Sequence, residues 1–239
     1  MYVFPGKALN VKIDFVLGDD PASPTIAAYV VRDQSGEVQA STPITVAEGD
    51  TEAWITIPAS IHTLAPDEKY RQHRIDVSYT VANLPLDLTY SYFIVPDLFL
   101  THTANELRTV LGVSPLEIPN NQVEFYRAYI DLSSGRDGDN FIAALTGNDL
   151  DLKFAAQQLI FWHTAQLLLP SVRMQALKSV ESETSKITRM ATSTNVTALE
   201  DLVSDRYLYY LSLIQSSGNT PAPTFFIVDS PTDPITGAA

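Results

Sequence analysis

"LTYSYFIVPDLFLTHTANELRTVLGV", residues 88–113, changes its hydrophobic period partway along, and that change decides the fold. Residues 88–95 read as a strand, and Pro96 ends it because proline cannot donate to a sheet ladder. "PDLFLTH" reads as a short linker. From Thr103 the signals are helical. Thr103 and Glu106 stand three apart, the spacing of a capping box, and Gly112 is placed to stop the helix. The chain is therefore expected to hold a β domain over 1–96, a linker over 97–102, an α-helical domain over 103–215 and an extended tail over 216–239.

Upstream, the same period of two recurs. In "LNVKIDFVL" the residues Leu9, Val11, Ile13, Phe15 and Leu17 point one way, and Asn10, Lys12 and Asp14 the other. "TIAAYVVRD" reads as a buried β run ending at the turn "DQSG". "DTEAWITIP" and "HRIDVSYTV" repeat the pattern, with Ile75, Val77, Tyr79 and Val81 on one face. Six or seven short strands separated by "LGDDPASP", "DQSG" and "AEGD" predict an antiparallel sandwich of the immunoglobulin or fibronectin kind. Trp54, Tyr79, Tyr90 and Tyr92 are expected as core or sheet-face residues rather than a ligand platform. The fold class is thus α+β in two domains, a β-sandwich followed by a helical bundle.

Downstream, "NNQVEFYRAYIDLSS" places Val123, Tyr126 or Arg127, and Ile130 on one stripe, and a short helix follows in "DNFIAALTG". A long apolar helix starts near Asn148 or Asp149 and reaches Leu169, and Pro170 permits a new helix near Ser171. "TALEDLVSDRYLYYLSLI" carries a second capping pair, Thr197 with Glu200, and an apolar face of Leu199, Leu202, Val203 and Leu213. The tail is rich in Pro, Ser and Thr, with one apolar island at Phe225, Phe226, Ile227 and Val228.

Composition narrows the function. The chain has no cysteine, which excludes a disulfide framework, thiolate metal sites and cysteine nucleophiles. A formal net charge of −13 with scattered Lys and Arg argues against gripping nucleic acid. The first ten residues show no secretion signal. "FAAQQLIFWHTAQLLLPSV" carries no formal charge, but Gln157, Gln158, His163 and Gln166 would need partners in hydrocarbon, so a helix buried inside the protein or between subunits is expected. Asp137, Asp139 and Asn140 lack the further ligands of a calcium loop and read as a polar connection. His163 has no second ligand one helical turn away. His62, His73 and His102 are isolated in sequence, and no hydrolase, zinc-protease, phosphate-loop or dinucleotide motif is present. No enzyme and no cofactor are expected.

"LKSVESETSKITRM", residues 177–190, spaces Leu177, Val180, Thr184, Ile187 and Met190 three or four apart, with the opposite-charge pairs Lys178–Glu181 and Glu183–Lys186. Ser182, Thr184, Ser185 and Thr188 weaken it as a helix. Helix is expected from Ser171 to about Ser179, with residues 180–195 ordered only against a partner.

The helical half resembles the head-to-tail adaptor, or connector, family of tailed bacteriophages. The likeness covers roughly residues 100–215 and rests on "ANELRTVLGVSP", "VEFYRAYI", "DLKFAAQQLIFWHTAQLLLP", a polar segment of Lys-Ser-Glu character and a last helix ending in "RYLYYLSLI". Where many members have Gly-Asp after that segment, this chain has Ser185-Lys186. The resemblance implies a ring, commonly of twelve copies, beneath the portal. DNA would pass through it unbound, and the tail or a next connector would sit on the far side. It also implies assembly in the host cytoplasm and a place at the head–tail junction of the virion. Partner binding would fall to Lys178, Glu181, Glu183, Lys186, Ile187, Arg189 and Met190 in the polar segment, or to Phe225–Val228 in the tail. Physically, three features agree: a helix apolar all round, an apolar island that can add to a sheet edge or groove, and negative charge in a DNA channel. The competing expectation is a tail-tip or baseplate module whose sandwich binds a receptor or saccharide.

Overall fold

The structure is a computed structural model that describes residues 1–98, 100–181 and 190–217, with side chains for all of these except 175–181, 190–195 and 217. It is mixed α+β, with strands first and helices after. The chain divides into two compact units, one of Met1–Thr101 with Glu124–Asp131, the other of His102–Val123 with the residues from Leu132 on.

The first unit holds β1 (Tyr2–Val3), β2 (Leu9–Asp14), β3 (Val16–Leu17), β4 (Asp20–Pro21), β5 (Ile26–Asp33), β6 (Gly36–Pro43), β7 (Glu52–Ile57), β8 (Arg71–Val81) and β9 (Leu84–Ile94). One sheet runs β1-β9-β8-β5-β6, with β1 parallel to β9 and the other pairs antiparallel. A second sheet pairs β2 with β7, and β3 with β4 makes a small hairpin. Alternation sends His73, Ile75, Val77, Tyr79 and Val81 of β8 inward, where they share one core with Val11 and Ile13 of β2 and Ile55 and Ile57 of β7. The β8–β9 turn has only two residues, and both Ala82 (φ 47°) and Asn83 (φ 65°) are left-handed, as the right-handed twist of a tight hairpin demands.

Two strand expectations need correction. Leu17 does not continue the inward face of β2 and is 39% exposed, because β2 stops at Asp14 and the chain turns through Gly18 (φ 68°) into the β3–β4 hairpin. β5 is not buried on both faces either. Ala27, Tyr29 and Val31 are covered, but Ile26 lies open to solvent.

The helices are α1 (Ala104–Leu111), α2 (Phe125–Ser134), α3 (Gly138–Thr146), α4 (Leu150–Glu181) and α5 (Met190–Ser217). The first seven residues of α2 belong with the sheets. There the Tyr126 ring lies 5.9 Å from Tyr2 and 5.5 Å from Phe4, and buried Tyr129 donates to the Lys69 carbonyl at 2.9 Å. The α1 signals are borne out. Thr103 Oγ1 accepts from the Glu106 amide, Glu106 accepts from the Thr103 amide, and Gly112 closes the helix in the left-handed conformation (φ 68°). Buried Arg108 ties α1 to the following loop by donating to the Ile118 carbonyl, Asn105 Oδ1 and Asn120 Oδ1.

At Pro170 the sequence expectation fails, since α4 is one helix of 32 residues running through it, about 48 Å long. The missing amide costs about 3 kcal/mol. Burial of Leu168 and Val172 on either side contributes about 1.5–3 kcal/mol each and offsets it. Asp149 caps this helix, accepting from the amides of Asp151 and Leu152. The second capping expectation also fails. α5 begins at Met190, so Thr197 and Glu200 lie inside it rather than at its start.

Candidate functional site: the helical hairpin and a polar cleft

α4 and α5 pack against each other and run antiparallel, since Phe154 meets Tyr210 (6.4 Å between rings) while His163 meets Tyr207 (5.5 Å). The segment 182–189 joins their ends. Of the expected partner-binding residues, Lys178 and Glu181 stand on the last turns of α4, and Met190 opens α5. Glu183, Lys186, Ile187 and Arg189 lie outside the described residues, as do Phe225, Phe226, Ile227 and Val228. Residues 180–181 and 190–195 are helical here, where a partner-dependent segment was expected.

The all-round apolarity of α4 has two explanations along its length. From Ala155 to Phe161 almost every position is buried, and α1, α3 and α5 all pack on α4. From Thr164 onward only one face is covered, by Thr164, Ala165, Leu168 and Val172. Leu167 (43% exposed), Pro170 and Met174 (55%) form an open apolar line on the other side, at intervals of three and four. On α5, Val203 and Ile214 are buried, whereas Leu202, expected on the apolar face, is 42% exposed, together with Leu208 and Tyr209. The pitch explains it: with Val203 and Ile214 setting the inner face, Leu202 falls about 100° away.

The first unit contains a polar arrangement that sequence spacing does not announce. His62, Tyr92 and His73 are all fully buried. The Tyr92 hydroxyl lies 3.0 Å from His62 Nε2 and 2.9 Å from His73 Nδ1, and His62 Nδ1 contacts the Lys7 carbonyl. A carbonyl only accepts, so His62 Nδ1 carries the proton and its Nε2 accepts from Tyr92. The Tyr92 oxygen must then accept from His73 Nδ1–H. His73 Nε2 is left as a bare acceptor, and no protein group pairs with it. Burial pushes His73 below the ordinary histidine range, against an opposing pull from Asp33, and pushes the Tyr92 hydroxyl up.

His73 borders a cleft of about 230 Å³ lined by Arg32, Asp33, Gln34, Gln72, Arg74 and Ser91. A neighbouring cleft of about 410 Å³ shares Asp33, Gln34 and Gln72 and adds Ser35, Glu68, Tyr70 and Arg71. Asp33 Oδ1 accepts from the Ser35 amide (2.7 Å), Ser35 Oγ (2.6 Å) and the Gly36 amide (3.0 Å), and the Ser35 hydroxyl is the main reason its carboxyl sits below the usual range. Arg71 grips Glu68 with two bonds, at 2.8 and 2.6 Å, and holds that carboxyl low as well. On the outer face of β2–β7, Trp54 is 68% exposed opposite Lys12, which bridges Asp14 and Glu52.

The remaining candidates have structural partners. His102 accepts from Gln158 and lies 4.7 Å from the Phe161 ring, and His163 contacts Gln166. Asp137 accepts from Gln215 at 2.7 Å, while Asp139 and Asn140 form the first turn of α3. Among the described residues no group of three His, Asp or Glu is gathered for a metal ion, and no helix is long and apolar enough to cross a membrane. The chain matches no protein-family model and no curated protein sequence.

Proposed function

We propose that this chain is a structural subunit of a ring that joins the capsid portal of a tailed phage to its tail. The β unit is read as an immunoglobulin-like sandwich, with β2–β7 over the larger sheet, and the helical unit as an adaptor-like bundle. The observation that carries the proposal is the hairpin of α4 and α5, 32 and 28 residues long, which bears an uncovered apolar line and ends at the polar segment of Lys-Ser-Glu character. A head-to-tail contact between identical copies closes into a ring when its rotation permits, and such a contact needs an exposed apolar surface on each copy. The net charge of −13 suits a channel through which DNA slides.

The test is the mass of the purified protein alone and with a portal ring. A multimer that carries portal supports the proposal, and a protein that stays monomeric and ignores the portal refutes it. Met174→Glu should weaken assembly while leaving the monomer's unfolding unchanged. Removal of 219–239 should act the same way if the Phe225–Val228 island docks. A second reading, a tail-tip or baseplate module that binds saccharide through the β unit, is favoured by the open indole of Trp54. Glycan binding abolished by Trp54→Ala would select it.

A further inference from the structure

The chain Lys7–His62–Tyr92–His73 has a fixed direction. His73 Nδ1–H donates to the Tyr92 oxygen, the Tyr92 hydroxyl donates to His62 Nε2, and His62 Nδ1–H donates to the Lys7 carbonyl. Every acceptor between the two ends is taken, so the chain has room for one more proton only at His73 Nε2. A proton there creates a charged N–H inside the core with no acceptor, because no protein group pairs with that atom. A buried imidazolium in that position must either lose its proton or move.

It has somewhere to go. The residue already borders the 230 Å³ cleft at the β5–β6 turn, whose lining includes Asp33. The charged groups acting on His73 come from every side. Asp33 on the turn and Glu68 before β8 favour its charged form, while Arg71 on β8 and His62 on the loop after β7 oppose it. Arg71 is paired with Glu68, Arg74 with Asp76, and Arg32 with both Asp76 and Glu37, so the three cations near the cleft face three carboxylates of their own. Asp33 spends Oδ1 on Ser35 and Gly36 and keeps its negative charge on the cleft.

We propose that His73 is a two-position proton switch: neutral, it sits inside against Tyr92, and charged, it turns into the cleft and pairs with Asp33. The outward position withdraws a donor from Tyr92 and leaves a gap behind it at the end of β8–β9. The His62 loop, which also accepts the Gly6 amide through its carbonyl, then keeps its bond to Tyr92 on β9 but loses the link through that hydroxyl to β8. The β unit would so open at one end on mild acidification while the rest of its sheet stays paired.

The experiment is a pH titration of the full-length protein from 8 to 5, followed by NMR of labelled histidine and tyrosine rings, with Ile75 and Val77 methyls as a monitor of the core. The His73 and Tyr92 resonances should move together, with one midpoint below about 6.5, while the two methyls stay put. Asp33→Asn keeps the Oδ1 acceptor but removes the countercharge, and should lower that midpoint by about one unit. His73→Asn keeps a donor toward Tyr92 without a titrating ring, and should abolish the Tyr92 movement. The proposal is overturned if Tyr92 holds still until the core methyls collapse, if Asp33→Asn leaves the midpoint in place, or if His73→Asn still shows the movement. Should His73→Asn not fold, the wild type and Asp33→Asn decide the matter between them.

Discussion

Replacing Tyr92 by phenylalanine removes one oxygen and breaks two hydrogen bonds, because that hydroxyl donates to His62 at 3.0 Å and accepts from His73 at 2.9 Å. Both partners remain buried. One is then an acceptor without a donor, the other a donor without an acceptor. A buried polar group left unsatisfied costs about 1–3 kcal/mol, and part of the sum is returned because the tyrosine hydroxyl no longer has to be desolvated. The expected loss is therefore about 2–4 kcal/mol, against about 1 kcal/mol for a single ordinary hydrogen bond. Native-state hydrogen exchange at pH 8 reads this at Ile75 and Val77, in the middle of β8, whose amides exchange only when the sheet opens. Their protection should fall about 30- to 1000-fold, since 1.4 kcal/mol is a factor of ten. Adding His73→Leu to Tyr92→Phe should cost little more, because the stranded donor goes with it. A fall of less than about fivefold in the single variant would show that the three side chains do not act as one network, and the proton bookkeeping built on them would fail with it.

Ala82→Gly should raise the unfolding free energy by about 0.5–1 kcal/mol, since alanine at φ 47° bears a strain that glycine does not; chemical denaturation measures it. Thr103→Ala should cost about 1 kcal/mol by the same assay, through loss of the α1 cap. Pro170→Ala should stabilise the helical unit by about 1–3 kcal/mol, and a destabilised variant would mean that α4 does not run through residue 170. Overall stability should fall as pH drops below about 6.5. His73 binds its proton more weakly folded than unfolded, so the unfolded chain takes up more protons in that window and its contribution is fully present only above it. The pH slope of the unfolding midpoint should be shallower in His73→Asn.

Much of this was open to reading in the sequence where the signal was local. The α1 cap needs only Thr103, Glu106 and Gly112, all within ten residues, and the inward face of β8 needs only its alternation. Signals that depend on distant packing were missed. Pro170 and the Thr-rich start of α5 both speak against helix by propensity, yet α4 and α5 run through them, at Pro170 with Leu168 and Val172 buried on either side. The buried triad did leave a trace. Carrying the stripe of Ile75, Val77 and Tyr79 back by two residues puts His73 in the core, and a histidine there needs partners. That those partners are Tyr92, from the neighbouring strand, and His62, from a loop, depends on strand register, which one sequence does not spell out.

The allotment of α2 bears on how the chain is made and how it could be exchanged. Its first turns, with Tyr126 and Tyr129, complete the unit that begins at Met1, although the whole of α1 is synthesised in between. On the ribosome the β unit therefore has to wait for residue 131 before its last rings are in place. A break after residue 101 leaves it without Glu124–Asp131. Recombination that swapped the β half for another at the 97–102 junction would carry off the sheets and leave behind the residues that finish them, so this module does not move by a single crossover.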